Sequence, residues 1–117
     1  MLPNRMQLSR QTEEQLKRLK GYTGITPNIA ARLAFFRSVE SDFRYLPDQD
    51  NKKLDGFLVL DKITWLGETL LVTELLLKML YPQLEPKMLF RAWAAHVEDG
   101  IASLRNHREL KEFSFAL

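Results

Sequence analysis

The chain has 117 residues, enough for one compact domain with a single core. It contains no cysteine, which excludes disulfides, thiolate metal sites, cysteine nucleophiles and persulfide chemistry on this chain, and its 45% hydrophobic content argues against wholesale disorder. The net charge of +2 hides two unlike parts: residues 1–37 carry seven basic and two acidic side chains (net +5), residues 38–117 ten and thirteen (net −3).

In chain order, Met6-Gln7-Leu8-Ser9 alternates apolar and polar residues and predicts a short strand. Arg5, Gln7 and Ser9 share its outer face. A helix follows from about Gln11, with Ser9 or Thr12 as N-cap and Glu13 and Glu14 in the first turn. Leu16 and Leu19 form its inner face, while Lys17, Arg18 and Lys20 point outward. Gly21 is expected to stop this helix, with Gly24 as a second permissive turn residue. Thr26 as N-cap and Pro27 at the first position start a second helix that runs to about Phe43. Ile29, Leu33, Phe36, Val39 and Phe43 mark its apolar stripe.

Tyr45 to Gly56 reads as a polar loop. A third helix is predicted from about Asp61 to Tyr81, and a fourth from about Pro86 to His107. The third is apolar on almost every side, with a polar sliver near Gly67, Glu74 and Lys78. That pattern suits either the centre of a core or a subunit interface. Leu71, Val72, Leu75, Leu76 and Met79 are the candidate interface residues. The expected fold is all-α, mainly four helices with a short N-terminal strand. Residues 1–117 form one domain, comprising a basic strand-helix-turn-helix over 1–43 and an apolar helical hairpin over 57–107.

The order strand, helix, turn, helix is the outline of a ribbon-helix-helix protein, in which paired strands enter the DNA major groove. Arg5, Gln7 and Ser9 would then read bases, and Thr26 and Asn28 would hold a phosphate at the helix N-terminus. An N-terminal arm with a helical hairpin serving the core is the plainer alternative. Gly21-Tyr22-Thr23-Gly24 is either a loop that lets backbone approach phosphate or a tight interhelical turn. His96 and Asp99 lie one helical turn apart, but no third metal ligand accompanies them; no metal and no cofactor are expected. No nucleotide-binding loop, nucleophile elbow or clustered carboxylate set is present in the sequence. A metal-dependent nickase is accordingly disfavoured. The N-terminus has no apolar signal core, and the stretch Leu58–Tyr81 holds five charged residues, costly in a bilayer. A cytoplasmic location without membrane association is expected.

The runs Asn4-Arg5-Met6-Gln7-Leu8-Ser9, Glu13 to Lys20, Gly21-Tyr22-Thr23-Gly24-Ile25-Thr26-Pro27-Asn28, Leu60 to Leu70 and Trp93 to Gly100 closely resemble the DndE family of DNA sulfur modification proteins. The resemblance spans nearly the whole chain. It implies a small subunit of the bacterial DNA phosphorothioation system, which replaces a non-bridging phosphate oxygen with sulfur. It further implies binding to nicked double-stranded DNA, assembly as a homo-oligomer, most readily a tetramer, and the partner subunits DndC and DndD. Lacking cysteine, the chain cannot itself carry persulfide sulfur. The expected role is that of a non-catalytic DNA-binding subunit. Its candidate contacts are Arg5, Arg10, Lys17, Arg18, Lys20, Gly21, Gly24, Thr26 and Asn28. A ribbon-helix-helix transcriptional repressor is the alternative.

Overall fold

The computed structural model describes residues 2–104. Its elements are β1 (Arg5–Met6), α1 (Arg10–Thr23), α2 (Pro27–Glu40), β2 (Leu60–Asp61), α3 (Lys62–Leu66), α4 (Leu70–Leu80) and α5 (Pro86–Leu104), with 3₁₀ turns at Pro47–Gln49 and Gly67–Thr69. The fold is mainly helical, with one two-stranded sheet.

The sheet departs from the ribbon outline. β1 pairs antiparallel with β2 of the same chain, Arg5 opposite Asp61 and Met6 opposite Leu60. The predicted alternation is visible only in burial: Met6 and Leu8 are buried, and Arg5 is exposed. The ladder is extended by the Lys62 N–H, which donates to the Asn4 carbonyl at 2.7 Å. The strand that would bridge two chains in a ribbon-helix-helix dimer is therefore paired internally.

Ser9 caps α1, its hydroxyl accepting the Thr12 N–H at 3.2 Å. The helix runs through Gly21, contrary to expectation, and ends at Thr23. Gly24 is the stop: its φ of 77° is the left-handed conformation glycine adopts without strain, and its N–H closes on the Lys20 carbonyl. Leu16 and Leu19 are buried as expected.

α2 starts at Pro27 after Thr26, as the sequence predicts, but ends at Glu40 and turns a different face inward. Ala30, Ala31, Ala34, Phe35 and Ser38 are buried; Leu33, Phe36 and Val39 are half-buried and Ile29 is exposed. The reason lies on α5. A Cβ on Gly100 would stand only 1.8 Å from the Ala34 carbonyl oxygen, so the two backbones touch. Only small side chains fit between helices at that distance, so Leu33, Phe36 and Val39 stay half-buried, and Phe35 is the one bulky side chain of α2 that is fully buried.

The predicted third helix is broken in two. Gly67 (φ 52°) ends α3, and the chain re-enters a helix at Leu70. Arg32 of α2 holds the break: its guanidinium donates to the Trp65 carbonyl at 2.7 Å and the Thr64 carbonyl at 3.0 Å. Those carbonyls lie at the end of a helix, where intrahelical partners run out. The guanidinium lies where any Cβ on Gly67 would fall, with its nearest atom 2.7 Å away.

The expected polar sliver of this segment is also misplaced. Glu74 is buried, accepting the Leu2 N–H at 3.0 Å and facing the Lys62 ammonium at 3.7 Å. With Glu74, Thr73 and Leu77 turned inward, α4 presents Leu71, Val72, Leu75 and Met79 to solvent. The central core lies between α5 and the other elements. Trp65 and Trp93 meet edge to face at 5.6 Å, and the Trp65 indole N–H donates to the Met6 carbonyl. His107 and the predicted last turn of the fourth helix lie outside the described residues.

Candidate nucleic-acid interface

Acidic and basic side chains on α1 are sorted by a long-range contact. Glu13 belongs to the first turn of a basic helix, yet its side chain is only 2% exposed. The Leu58 N–H donates to it at 2.6 Å, and the Lys17 ammonium lies 3.3 Å away. Burial alone would raise the Glu13 carboxyl, but the backbone N–H groups of Leu58 and Phe57, with Lys17, hold it below the usual carboxylate range. Gly56 makes the approach possible. A Cβ there would meet the Leu8 carbonyl at 2.7 Å and the Glu13 carboxylate at 2.8 Å.

The consequence is a basic edge that is only partly compensated, through the Lys17–Glu13 pair. With Glu13 turned inward, α1 exposes Arg10, Lys17, Arg18 and Lys20 against the single acid Glu14. Among the described residues, neither Arg18 nor Lys20 has an acidic partner within ion-pair distance. Gly21 and Gly24 are exposed at the same end of the helix, and open space surrounds both positions where a Cβ would stand.

The other candidates are more committed to the protein. Arg5 pairs with Asp61 at 3.6 Å and donates to the Val59 carbonyl at 3.2 Å. The Arg10 guanidinium stands 4.9 Å above the Phe57 ring, and its backbone N–H donates to Asp55. Thr26 has N-cap backbone geometry, but its hydroxyl donates to the Asn28 side-chain oxygen at 2.7 Å instead of capping the helix. The Asn28 amide then donates to the Thr64 carbonyl at 3.2 Å. Asn28 thus ties α2 to α3, a role for which the sequence carries no local signal. Lys17, Arg18, Lys20, the two glycines, Thr26 and Asn28 all lie on the α1–α2 hairpin, whereas Arg5 lies on the sheet.

One cluster carries residue types familiar from catalysis, and its geometry is structural. Ser38 Oγ lies 2.8 Å from His96 Nδ1 and 2.8 Å from Asp99, and Tyr81 lies 2.7 Å from His96 Nε2. The Tyr45 N–H donates to the Tyr81 oxygen at 2.7 Å. A single orientation satisfies every group: Tyr81 donates to Nε2, Nδ1–H donates to Ser38, and Ser38 donates to Asp99. This requires neutral His96. Burial, with a contribution from Arg44, pushes its pKa down to about 4. His96 is 0% exposed and Ser38 1%, and the carboxylate meets the serine instead of the histidine. His96 and Asp99 are bridged by Ser38, and among the described residues no group of three metal-ligating side chains occurs.

A second polar cluster, with no signal in the sequence, pins the loop after α2. Arg91 donates to Asp50 at 2.6 Å and also to the Lys52 carbonyl. Tyr45 donates to Asp50 at 2.6 Å. Arg91 chiefly, aided by Tyr45 and the Lys52 N–H, holds Asp50 down at about 2 against the effect of burial. Lys52 pairs with Glu98 at 3.3 Å.

Fold and surface together define a small helical protein with a basic hairpin edge, an exposed apolar helix face and a polar cluster centred on a buried histidine. The family model described as DNA sulphur modification protein DndE matches residues 5–112, and the chain belongs to this family. Among solved structures, DndE from Escherichia coli B7A, described as involved in DNA phosphorothioation modification, is 84% identical with a TM-score of 0.88, covering 91% of this chain and 99% of its own. A DndE G21/24K mutant involved in DNA phosphorothioation is 80% identical with a TM-score of 0.83, covering 88% of this chain and 98% of its own. No curated protein matches the chain. No helix among the described residues is long and apolar enough to cross a membrane.

Proposed function

We propose that this chain is the non-catalytic DNA-holding subunit of the phosphorothioation machinery, gripping nicked duplex DNA by its backbone through the α1–α2 hairpin. The observation that carries the reading is the burial of Glu13, which removes its carboxylate from the surface and leaves Arg18 and Lys20, with the Glu13-paired but exposed Lys17, as a cationic edge. Such an edge neutralises phosphates and carries no base code, so it gives affinity without sequence preference. Gly21 and Gly24 keep the end of that edge free of side-chain bulk. A catalytic role is disfavoured because His96 and Ser38, the groups suited to proton transfer, are buried and bonded to one another. Sulfur activation then falls to partner subunits, DndC and DndD in this reading, with assembly in the cytoplasm.

The exposed face of α4 supports self-association. Leu71, Leu75 and Met79 are more than half exposed and Val72 nearly so, with Leu76 half-buried beside them. Closed symmetry favours an even-numbered assembly, and a homotetramer would present several copies of the basic edge to one duplex. The repressor reading loses its main support, since Arg5 is engaged with Asp61 and Val59 and its strand is paired within the chain.

The test is binding to nicked and intact duplexes across a salt series. Affinity should fall steeply with salt. A Lys17→Ala/Lys20→Ala double variant should bind both duplexes about tenfold or more weakly, with a shallower salt slope and no change in sequence preference. A flat salt response, or unchanged binding by the double variant, would refute the assignment.

A further inference from the structure

Tyr22 is the most exposed large hydrophobic side chain among the described residues, at 82%, and it stands in the last turn of the basic helix. It follows Arg18 by four residues, so the two occupy the same side of α1, one turn apart. Glycine precedes it, and the left-handed Gly24 two residues on turns the chain away; no heavy atom approaches where a Cβ would stand on either glycine. The contrast with Phe57, 73% exposed, is informative. Arg10 covers one face of the Phe57 ring at 4.9 Å. Among the described residues, no aromatic ring or guanidinium stacks on Tyr22. An aromatic ring this exposed, with no ring or guanidinium stacked on it and beside cations suited to phosphate, is the arrangement that stacks on a nucleobase.

The interior of an intact duplex offers no base face to such a ring, because every internal base is covered by its neighbours. A break in one strand does offer one, since the base pairs flanking it can part on one side without stretching a continuous backbone. We infer that Tyr22 is the break-reading residue of the basic edge: its ring stacks on the base exposed at a strand discontinuity while Arg18 holds an adjacent phosphate. This rests on the DNA-holding role proposed above and deepens it. Lysines supply affinity for any duplex, and Tyr22 supplies the preference for an interrupted one.

The experiment compares full-length protein and the Tyr22→Ala, Tyr22→Phe and Tyr22→Trp variants on one duplex, intact or carrying a single central nick. A 2-aminopurine placed beside the nick reports stacking by fluorescence. Tyr22→Ala should lose the preference for the nicked duplex by about tenfold while keeping parental affinity and salt slope on the intact one. The phenylalanine and tryptophan variants should retain the preference. The unaltered protein should change the 2-aminopurine signal, and Tyr22→Ala should not. Equal weakening on both duplexes, an unchanged preference, or a 2-aminopurine response that survives Tyr22→Ala would overturn the inference. So would a change in oligomeric state of Tyr22→Ala by sedimentation, which would assign the ring to a subunit contact. Failure of the proposed function looks different: the unaltered protein would then bind neither duplex in a salt-dependent manner.

Discussion

Replacing Gly100 by alanine adds one methyl group at the point where α5 meets α2, and its effect on stability tests the helix packing directly. The new Cβ would lie 1.8 Å from the Ala34 oxygen, 2.5 Å from its carbonyl carbon and 2.8 Å from its Cα. A carbon–oxygen contact is comfortable at about 3.3 Å or more, so the helices must part by about 1.5 Å. All three atoms met are backbone, and no rotamer change relieves them. Overpacking of this kind costs about 1–3 kcal/mol and sometimes more, and the rigid obstacle places Gly100→Ala at the upper end. Alanine returns about 1 kcal/mol through its better helix propensity. The net loss is about 2–3 kcal/mol, or roughly 10 °C in melting temperature for a chain of this size. Gly21→Ala is the matched control. Gly21 is also helical, but nothing lies within 4 Å of its would-be Cβ, so the substitution should raise stability by about 0.5–1 kcal/mol. Circular-dichroism melts and urea titrations of both variants provide the measurement. If Gly100→Ala melts as high as the parent, the close approach of α2 and α5 is wrong, and with it the explanation of which face α2 buries.

Two further predictions concern pH and assembly. His96 has a folded pKa of about 4 against an ordinary 6.5, so between those values the unfolded chain takes up a proton that the folded chain refuses. Its contribution is fully present above pH 6.5 and is lost as pH falls toward 4. Urea titrations across that window should show the decline, and His96→Gln should flatten it; an equally steep decline in the variant would show that other groups cause it. Leu75→Glu with Met79→Glu should dissociate the proposed homo-oligomer, because both side chains are exposed in the single chain. Sedimentation should then show a folded monomer, with DNA affinity reduced about tenfold or more by lost multivalency although every lysine remains. An unchanged mass would place the subunit contact elsewhere.

The sequence by itself determined whatever depends on near neighbours in the chain. Thr26-Pro27 starts a helix because a cap and a fixed φ suit the first turn, and Leu16 and Leu19 fall inward because helical spacing leaves them no other side. Charge segregation was legible by counting, and the resemblance to the DndE family was legible in runs such as Gly21-Tyr22-Thr23-Gly24-Ile25-Thr26-Pro27-Asn28. The stop at Gly24 instead of Gly21 was not, since either glycine can take a left-handed turn and helix packing chooses between them. Tertiary structure decided the rest through contacts between residues far apart in the chain. Phe57 and Leu58 supply the N–H groups that bury Glu13 and so expose a net positive edge. Arg32 holds open the break at Gly67 that divides the predicted third helix. Gly100 brings α5 so near that α2 buries its alanines and Phe35 and leaves Leu33, Phe36 and Val39 half-buried. Ser38, Tyr81 and Asp99 surround a histidine that the sequence shows only as a possible ligand. In each case the deciding contact joins residues well separated in the chain, and no local pattern of hydrophobicity or charge encodes that pairing.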